Sequence, residues 1–421
     1  MSLSLEDYTG QHNFKFPPWI PSATLLLILL GILGPILPSV QIGSVSLFPF
    51  RLFIPVYFSI LLAAITLCSQ DKVQFPRVVT LLFALLALGI LSFYHTLLTG
   101  ESSETTQLIV ISIRLFLLFS IILTITTRKW IYRTWILLIG LSILALIVAL
   151  FEYSTGWHFA GSQIHQLPDR PPYSTWVTTW FTNINDLAFF FLMATIPALV
   201  LGLNSMIKSR IRVFLITLWT TGGYLSVYLG SRAVMLSYLI ATITALGLTY
   251  SNIIRLIVGQ VPIRFGKVVA SLLGLVLAGL FVLVSNPITD VGSSIWIRWQ
   301  LQKAAVIEGG LLGNGFGSSS IVISQSPIDT GGIGSPHSWY GALLTDTGIL
   351  GLTLFLIFYA SLVAGLTRTA NLRDPVPMMS VISLIAVPIA GLGPSNVLNL
   401  PIFWVVLGLS ISTFGIYNPN V

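Results

Sequence analysis

Three side chains in the C-terminal half of this sequence could share one piece of chemistry: Arg232, Arg298 and His337. A guanidinium is always charged, and its planar fork grips phosphate oxygens in pairs. Two forks suit a diphosphate, and they would stabilise the negative charge that builds as a diphosphate leaves. An imidazole, with an ordinary pKa near ~6.5, can take a proton from an attacking hydroxyl at neutral pH. Together these parts describe displacement of a diphosphate from a sugar by an acceptor hydroxyl. Taken singly, each residue also fits a plainer role. Arg232 could snorkel to lipid headgroups from a helix end, Arg298 could anchor a surface helix, and His337 could be an ordinary interfacial histidine. No carboxylate cluster joins them, since Asp290, Glu308 and Asp329 are scattered; metal independence is therefore expected.

The elements that must position these residues are membrane helices. The chain has 421 residues, of which 55% are hydrophobic and 8% charged, and that balance excludes a soluble globule. A crossing needs ~20 apolar residues. Such stretches lie at 19–39, 47–68, 76–98, 105–126, 130–152, 183–205, 211–229, 231–250, 265–285, 338–366, 376–393 and 397–415. The fold class expected is an all-α integral membrane protein of about twelve transmembrane helices, one polytopic domain over 1–421. The polar N-terminal stretch Met1–Pro18 and the absence of an A-x-A-like site after the first apolar run read as an uncleaved anchor. Cys68, the sole cysteine, can form neither an internal disulfide nor a thiolate cluster.

Charge fixes the expected orientation. With the N-terminus inside, fourteen of the twenty Lys and Arg residues fall on the cytoplasmic side. Only Arg170, Arg232, Arg298 and Lys303 fall outside, and Arg51 and Arg114 lie within spans. Both termini are then cytoplasmic. The basic pI of 9.6 reports loop charge, and no basic run or zinc spacing points to nucleic acid.

Two connections are long, and both face outward. The first, 153–182, carries Trp157, His158, His165, Trp176 and Trp180 around a Pro-rich turn that holds Arg170, either a glycan contact or a surface charge. The second, 286–337, contains a helix-compatible run at 293–308 with Ser293 or Ser294 as N-cap. There Ile295, Trp299, Gln302 and Val306 share a face, which reads as a helix lying at the lipid surface. Arg114 sits ~13 Å from the outer end of its span by helical rise, a depth at which a charge normally faces a cavity or a partner. Asn183 and Asp186 open span six, where capping is the ordinary role. The GNGFG run at 313–317 lacks a strand–turn–helix setting, so it reads as a close turn, and no cofactor is expected.

Several of these motifs also carry a resemblance. Gly313-Asn-Gly-Phe-Gly317, Pro336-His-Ser-Trp-Tyr340 and Leu343-Leu-Thr-Asp-Thr-Gly-Ile-Leu-Gly351 resemble the signature of the O-antigen ligase/polymerase superfamily. Gly230-Ser-Arg-Ala233 resembles its Ser-Arg element and Phe181-Thr-Asn-Ile-Asn-Asp-Leu-Ala188 its Asn-x-Asn-Asp stretch. The resemblance covers roughly residues 180–360. It implies a membrane glycosyltransferase of the GT-C type, inverting, at the outer face of the bacterial plasma membrane. The donor implied is an undecaprenyl-diphosphate-linked glycan and the acceptor a glycan or glycolipid. Arg232 and Arg298 would hold the diphosphate, and His337 would activate the acceptor hydroxyl. Arg114, Arg170, Asn183 and Asp186 are candidates for the substrate cavity. Ser338 stands where many members have Asn, and its hydroxyl can still hydrogen-bond nearby. Another class, a transporter or flippase of lipid-linked oligosaccharide, also has many spans. It would favour repeated halves and a site at the membrane midplane, and neither is visible here.

Overall fold

The computed structural model describes residues 16–37, 40–42, 45–68, 79–84, 86–87, 94, 105–159, 176–250, 294–369, 371–394 and 396–418. These residues are almost wholly helical. The helices are α1 (Trp19–Ile32), α2 (Pro49–Cys68), α3 (Thr105–Thr124), α4 (Arg128–Thr155), α5 (Ile184–Leu203), α6 (Ser209–Tyr228), α7 (Arg232–Thr249), α8 (Ser294–Gly309), α9 (Ser319–Gln325), α10 (Trp339–Thr369), α11 (Pro375–Ala390) and α12 (Pro401–Tyr417). A short antiparallel hairpin pairs β1 (Val40–Ile42) with β2 (Val45–Leu47). Among the described residues, five helices are long and apolar enough to cross a membrane, and four shorter apolar helices accompany them.

Most of the expected spans coincide with a helix. The third is covered only at 79–84, 86–87 and 94, and the ninth, 265–285, lies outside the described residues. The first ends early: α1 stops at Ile32, because Gly34-Pro35 turns the chain into a 3-10 helix, Gly34–Ile36, ahead of the hairpin.

The core follows from how apolar each helix is around its whole circumference. Helix α5 is apolar on every side, and nearly all its residues are buried, which is where such a helix belongs. It packs against α4, α6, α7 and α11, while α12 bridges α3 and α11. Helix α4 buries Trp135, Leu138 and Ala145 but leaves Ile147, Leu150 and Phe151 exposed, an apolar outer surface of the kind that membrane lipid covers.

Polar clasps pin both ends of this bundle. At one end, Arg128 opens α4 and makes two bonds, 2.9 and 3.1 Å, to Asp374, the N-cap of α11. Tyr417, the last residue of α12, donates to the same carboxylate. At the other end of α4, the fully buried Glu152 accepts the backbone N–H groups of Thr178 and Thr179 at 2.9 and 2.8 Å. It thereby fixes the strand of chain that leads into α5.

Helix α10 departs from the single straight span expected at 338–366. It breaks at Gly348, whose φ of 67° and ψ of −173° suit only glycine. The backbone groups released there are not left bare, since residues 310–315 run alongside. Asn314 and Gly315 donate to the Thr345 and Asp346 carbonyls at 2.9 Å, while Ile349 and Leu350 donate to Gly310 and Leu311 at 3.0 and 3.2 Å. Broken helices are tolerated at membrane depth when neighbouring protein satisfies the backbone in this way.

Candidate functional site

The site is assembled on the brace at the break in α10. Residues 313–317 form the close turn expected of them, with Gly313, Gly315 and Gly317 all at positive φ. A side chain at Gly313 would strike the backbone of Asp346 and Thr347, and one at Gly348 would strike the Leu311 carbonyl. The two glycine motifs are therefore halves of one backbone contact. Asp346, buried on α10, completes it by accepting from the Gly317 and Ser319 N–H groups at 3.0 and 2.9 Å and from Ser318 Oγ at 3.3 Å. Its carboxylate holds the turn and starts α9.

Helix α8 docks on this brace. Leu301, Ala304 and Ala305 are buried against Leu344 and Ile323, with Ile297 packed alongside. The face that the helix buries here is that of Leu301, Ala304 and Ala305; on the face expected from the sequence, Val306 is 54% exposed and Gln302 turns inward to a polar task. The small residues Ala304 and Ala305 decide this, because they let α8 approach α10 closely.

Gln302 ties α8 to His337. Its Nε2 donates to the Pro336 carbonyl at 2.9 Å, and its Oε1 accepts from Ser338 Oγ at 3.0 Å. Ser338 Oγ in turn accepts from the Gly341 N–H at 2.9 Å, inside the first turn of α10. Both neighbours of His337 are thus held by one side chain. Between them His337 adopts φ 47°, a left-handed conformation costly for a residue with a Cβ. Its Nδ1 is buried and has no hydrogen-bond partner among the described residues. Burial pushes the imidazole from 6.5 down to about 4, and the positive charge of Arg298 adds to that shift.

Arg298 lies one helical turn before Gln302 on α8. Its guanidinium donates to the Leu392 carbonyl and, at 3.5 Å, to that of Gly393. Burial lowers its pKa, yet it remains a cation at any physiological pH. The turn it grips, just beyond α11, is where the site converges. Trp339 packs on Gly391 so closely that a side chain there would clash with its ring. Tyr340 donates to the Pro388 carbonyl at 2.9 Å. A Cβ at Gly393 would sit 3.4 Å from Ser231 Oγ. Ser231 immediately precedes Arg232, which opens α7 with its side chain exposed. The end of α11 and the turn after it, residues 388–393, therefore meet Ser231 at the start of α7, Trp339 and Tyr340 at the start of α10, and Arg298 on α8, whose charge also reaches His337.

The other expected residues with described positions lie on other elements. Asn183 caps α5, accepting the Asn185 N–H at 2.7 Å, and Asp186 follows in the first turn. Arg114 is buried on α3, donating from Nε to the Asn399 carbonyl at 3.3 Å, with the face of Phe50 5.2 Å away. Arg170 lies outside the described residues. Gln302, Asp346 and Glu152 carry the architecture, and none was singled out for a role in the sequence. The one available signal was Asp346 inside an otherwise apolar span, a placement that normally has a purpose.

No family model matches the chain, and no curated protein matches it.

Proposed function

We propose that this protein is a membrane glycosyltransferase that passes an undecaprenyl-diphosphate-linked glycan to an acceptor hydroxyl at the outer face of the plasma membrane. The observation that carries this reading is that Arg298 grips the Leu392 and Gly393 carbonyls with its charge reaching His337, while Ser231, the residue before Arg232, lies beside Gly393. Arg298 offers the donor diphosphate a partly buried guanidinium, and the exposed Arg232 offers a second fork from the neighbouring helix. His337 is neutral at physiological pH, as a general base must be. The acceptor oxygen attacks the anomeric carbon as the bond to the diphosphate breaks. The proton passes to His337, the arginines hold the leaving diphosphate, and one displacement inverts the anomeric centre. Neither role calls for a metal. The O-antigen ligases and the surface-polysaccharide polymerases share this chemistry and differ in the acceptor.

The break in α10 at Gly348 favours a second reading, since transporters build substrate sites from discontinuous helices. One assay separates the two. Purified protein is given a lipid-diphosphate glycan and an acceptor, and new glycosidic product and released lipid diphosphate are measured. Turnover is expected, and it should survive chelation. His337→Ala should abolish it, and Arg232→Ala or Arg298→Ala should weaken donor use by about 1.5–3 kcal/mol, the worth of a charged hydrogen bond. Movement of substrate across a bilayer without product would establish transport instead.

A further inference from the structure

The fork of Arg298 is already occupied by the protein's own backbone. Its Nη1 donates to the Leu392 carbonyl and its Nη2, at 3.5 Å, to that of Gly393. Both acceptors belong to the connection from α11 to α12, described at 391–394 and 396–400. A guanidinium grips phosphate best through two parallel N–H bonds. The edge of Arg298 that presents both terminal nitrogens is therefore taken before any anion arrives.

The two ends of this connection are secured differently. At the far end, Asn396 caps the 3-10 helix Val397–Asn399 by accepting the Leu398 N–H at 3.1 Å. Trp404 Nε1 donates to the Leu398 carbonyl at 2.7 Å, and Arg114 Nε donates to that of Asn399 at 3.3 Å. That end is thus tied to both α12 and α3. At the near end, the N–H groups of Gly391, Leu392 and Gly393 bond back to Val387, Ile389 and Ala390 at 2.8, 3.0 and 3.0 Å, a local turn on the end of α11. Among the described residues, the hydrogen bonds that tie residues 391–393 to another element are the two from Arg298. Glycine at 391 and 393 offers no side chain to replace them, and Leu392 is only half-buried.

We propose that this connection is a self-latched strap: its Leu392 and Gly393 carbonyls occupy Arg298 in the free protein, and a bound diphosphate displaces them and releases the near end. The inference rests on the donor role given to Arg298 above. A partly buried guanidinium is costly without acceptors, and the two carbonyls meet that need while no anion is present. A phosphate oxygen carries charge and outcompetes a neutral carbonyl for the cation, so the donor favours the released state. The far end stays tied by Arg114 and Trp404, which confines the movement to the residues around Gly393. These residues touch the start of α7, since a Cβ at Gly393 would lie 3.4 Å from Ser231 Oγ. Release at Arg298 is thereby felt beside Arg232, the second donor contact of the proposed reaction.

The test is hydrogen–deuterium exchange of the full chain in nanodiscs, alone, with undecaprenyl diphosphate, and with undecaprenol, the same chain without phosphate. Native mass spectrometry of the same samples reports whether each ligand binds. Undecaprenyl diphosphate should speed exchange of the 391–393 amides about tenfold or more, the worth of one charged hydrogen bond, and leave the Leu398 and Leu400 amides unchanged. Undecaprenol should change neither group. Arg298→Ala without ligand should already show the fast exchange at 391–393, and added undecaprenyl diphosphate should speed it no further. Bound undecaprenyl diphosphate with unchanged or slower exchange in the wild type would overturn the strap, whatever the fold of the variant, and would leave the donor reading standing. Equal loosening by undecaprenol, or a folded Arg298→Ala that exchanges like wild type, would overturn it as well. Failure of undecaprenyl diphosphate to bind would remove the donor reading itself, and the strap with it.

Discussion

His337 sits in a setting that suppresses its own charge. Desolvation and the nearby Arg298 both disfavour the imidazolium, so the free protein should protonate His337 only as pH falls to about 4. The two causes are separable. Removing the cation in Arg298→Ala should raise this pKa toward 6.5, and an NMR titration of histidine-labelled protein reads the change directly; an unmoved or lowered value would show that the two residues do not interact. Bound diphosphate should act in the same direction by neutralising Arg298, making His337 a stronger base when the donor is present. Gln302 belongs to the same argument as a positioning residue, since it holds the residues on either side of His337. Gln302→Leu should lower kcat, by up to about 100-fold if the ring shifts by 1 Å. It should leave donor KM near wild type, because Arg298 keeps its own contacts. The His337 pKa should rise as the ring loosens, a change that a general loss of stability would not produce.

At the scale of elements, the paired glycine motifs do structural work on which the proposed chemistry depends. The break in α10 lets Asp346 and the 313–317 turn lock together, and this lock supports α8, which carries both Arg298 and Gln302. Gly348→Ala is expected to lower stability by at least about 1–3 kcal/mol, because alanine is forced into a glycine-only conformation. Its Cβ would also lie 2.3 Å from the Leu311 carbonyl oxygen. Gly247→Ala on α7, where nothing lies within 4 Å of the new methyl, should leave the melt unchanged or slightly raised. Comparable melts for the two variants in detergent would mean that the break is not needed. Helix α8 was expected to lie on the lipid surface. Its Leu301–Ala304–Ala305 stripe packs on Leu344 and Ile323, while Val306 and Ile307 on its other side stay exposed.

For the whole molecule, the proposed activity demands that the 388–393 turn, α8 and His337 share the outer face. The positive-inside bias read from the sequence predicts the same orientation, with the Arg128–Asp374–Tyr417 clasp inside. Cysteine labelling in cells checks this. In a Cys68→Ser background, a cysteine at exposed Lys303 should react with a membrane-impermeant maleimide, and one at exposed Lys208 should react only after lysis. The reverse pattern would invert the topology and remove the donor from reach of the site.

Much of this protein is written in one dimension. Where helices lie follows from runs of apolar residues, since the length of such a run and its Pro, Gly and Asn punctuation are local properties; Asn183 as cap and 313–317 as turn were legible for that reason. His337, Arg232 and Arg298 could also be chosen from residue type and placement alone. Their assembly could not. The turn at 388–393 lies 51 residues or more beyond His337 and contributes no reactive side chain, only carbonyls and room, which leave no mark on composition or charge. The break in α10, the buried face of α8 and the inward turn of Gln302 likewise depend on backbone groups meeting across long sequence separations. Sequence supplied the candidate groups and the spans; packing alone set Arg298 within reach of His337 and left Arg114 Nη1 without a hydrogen-bond partner among the described residues.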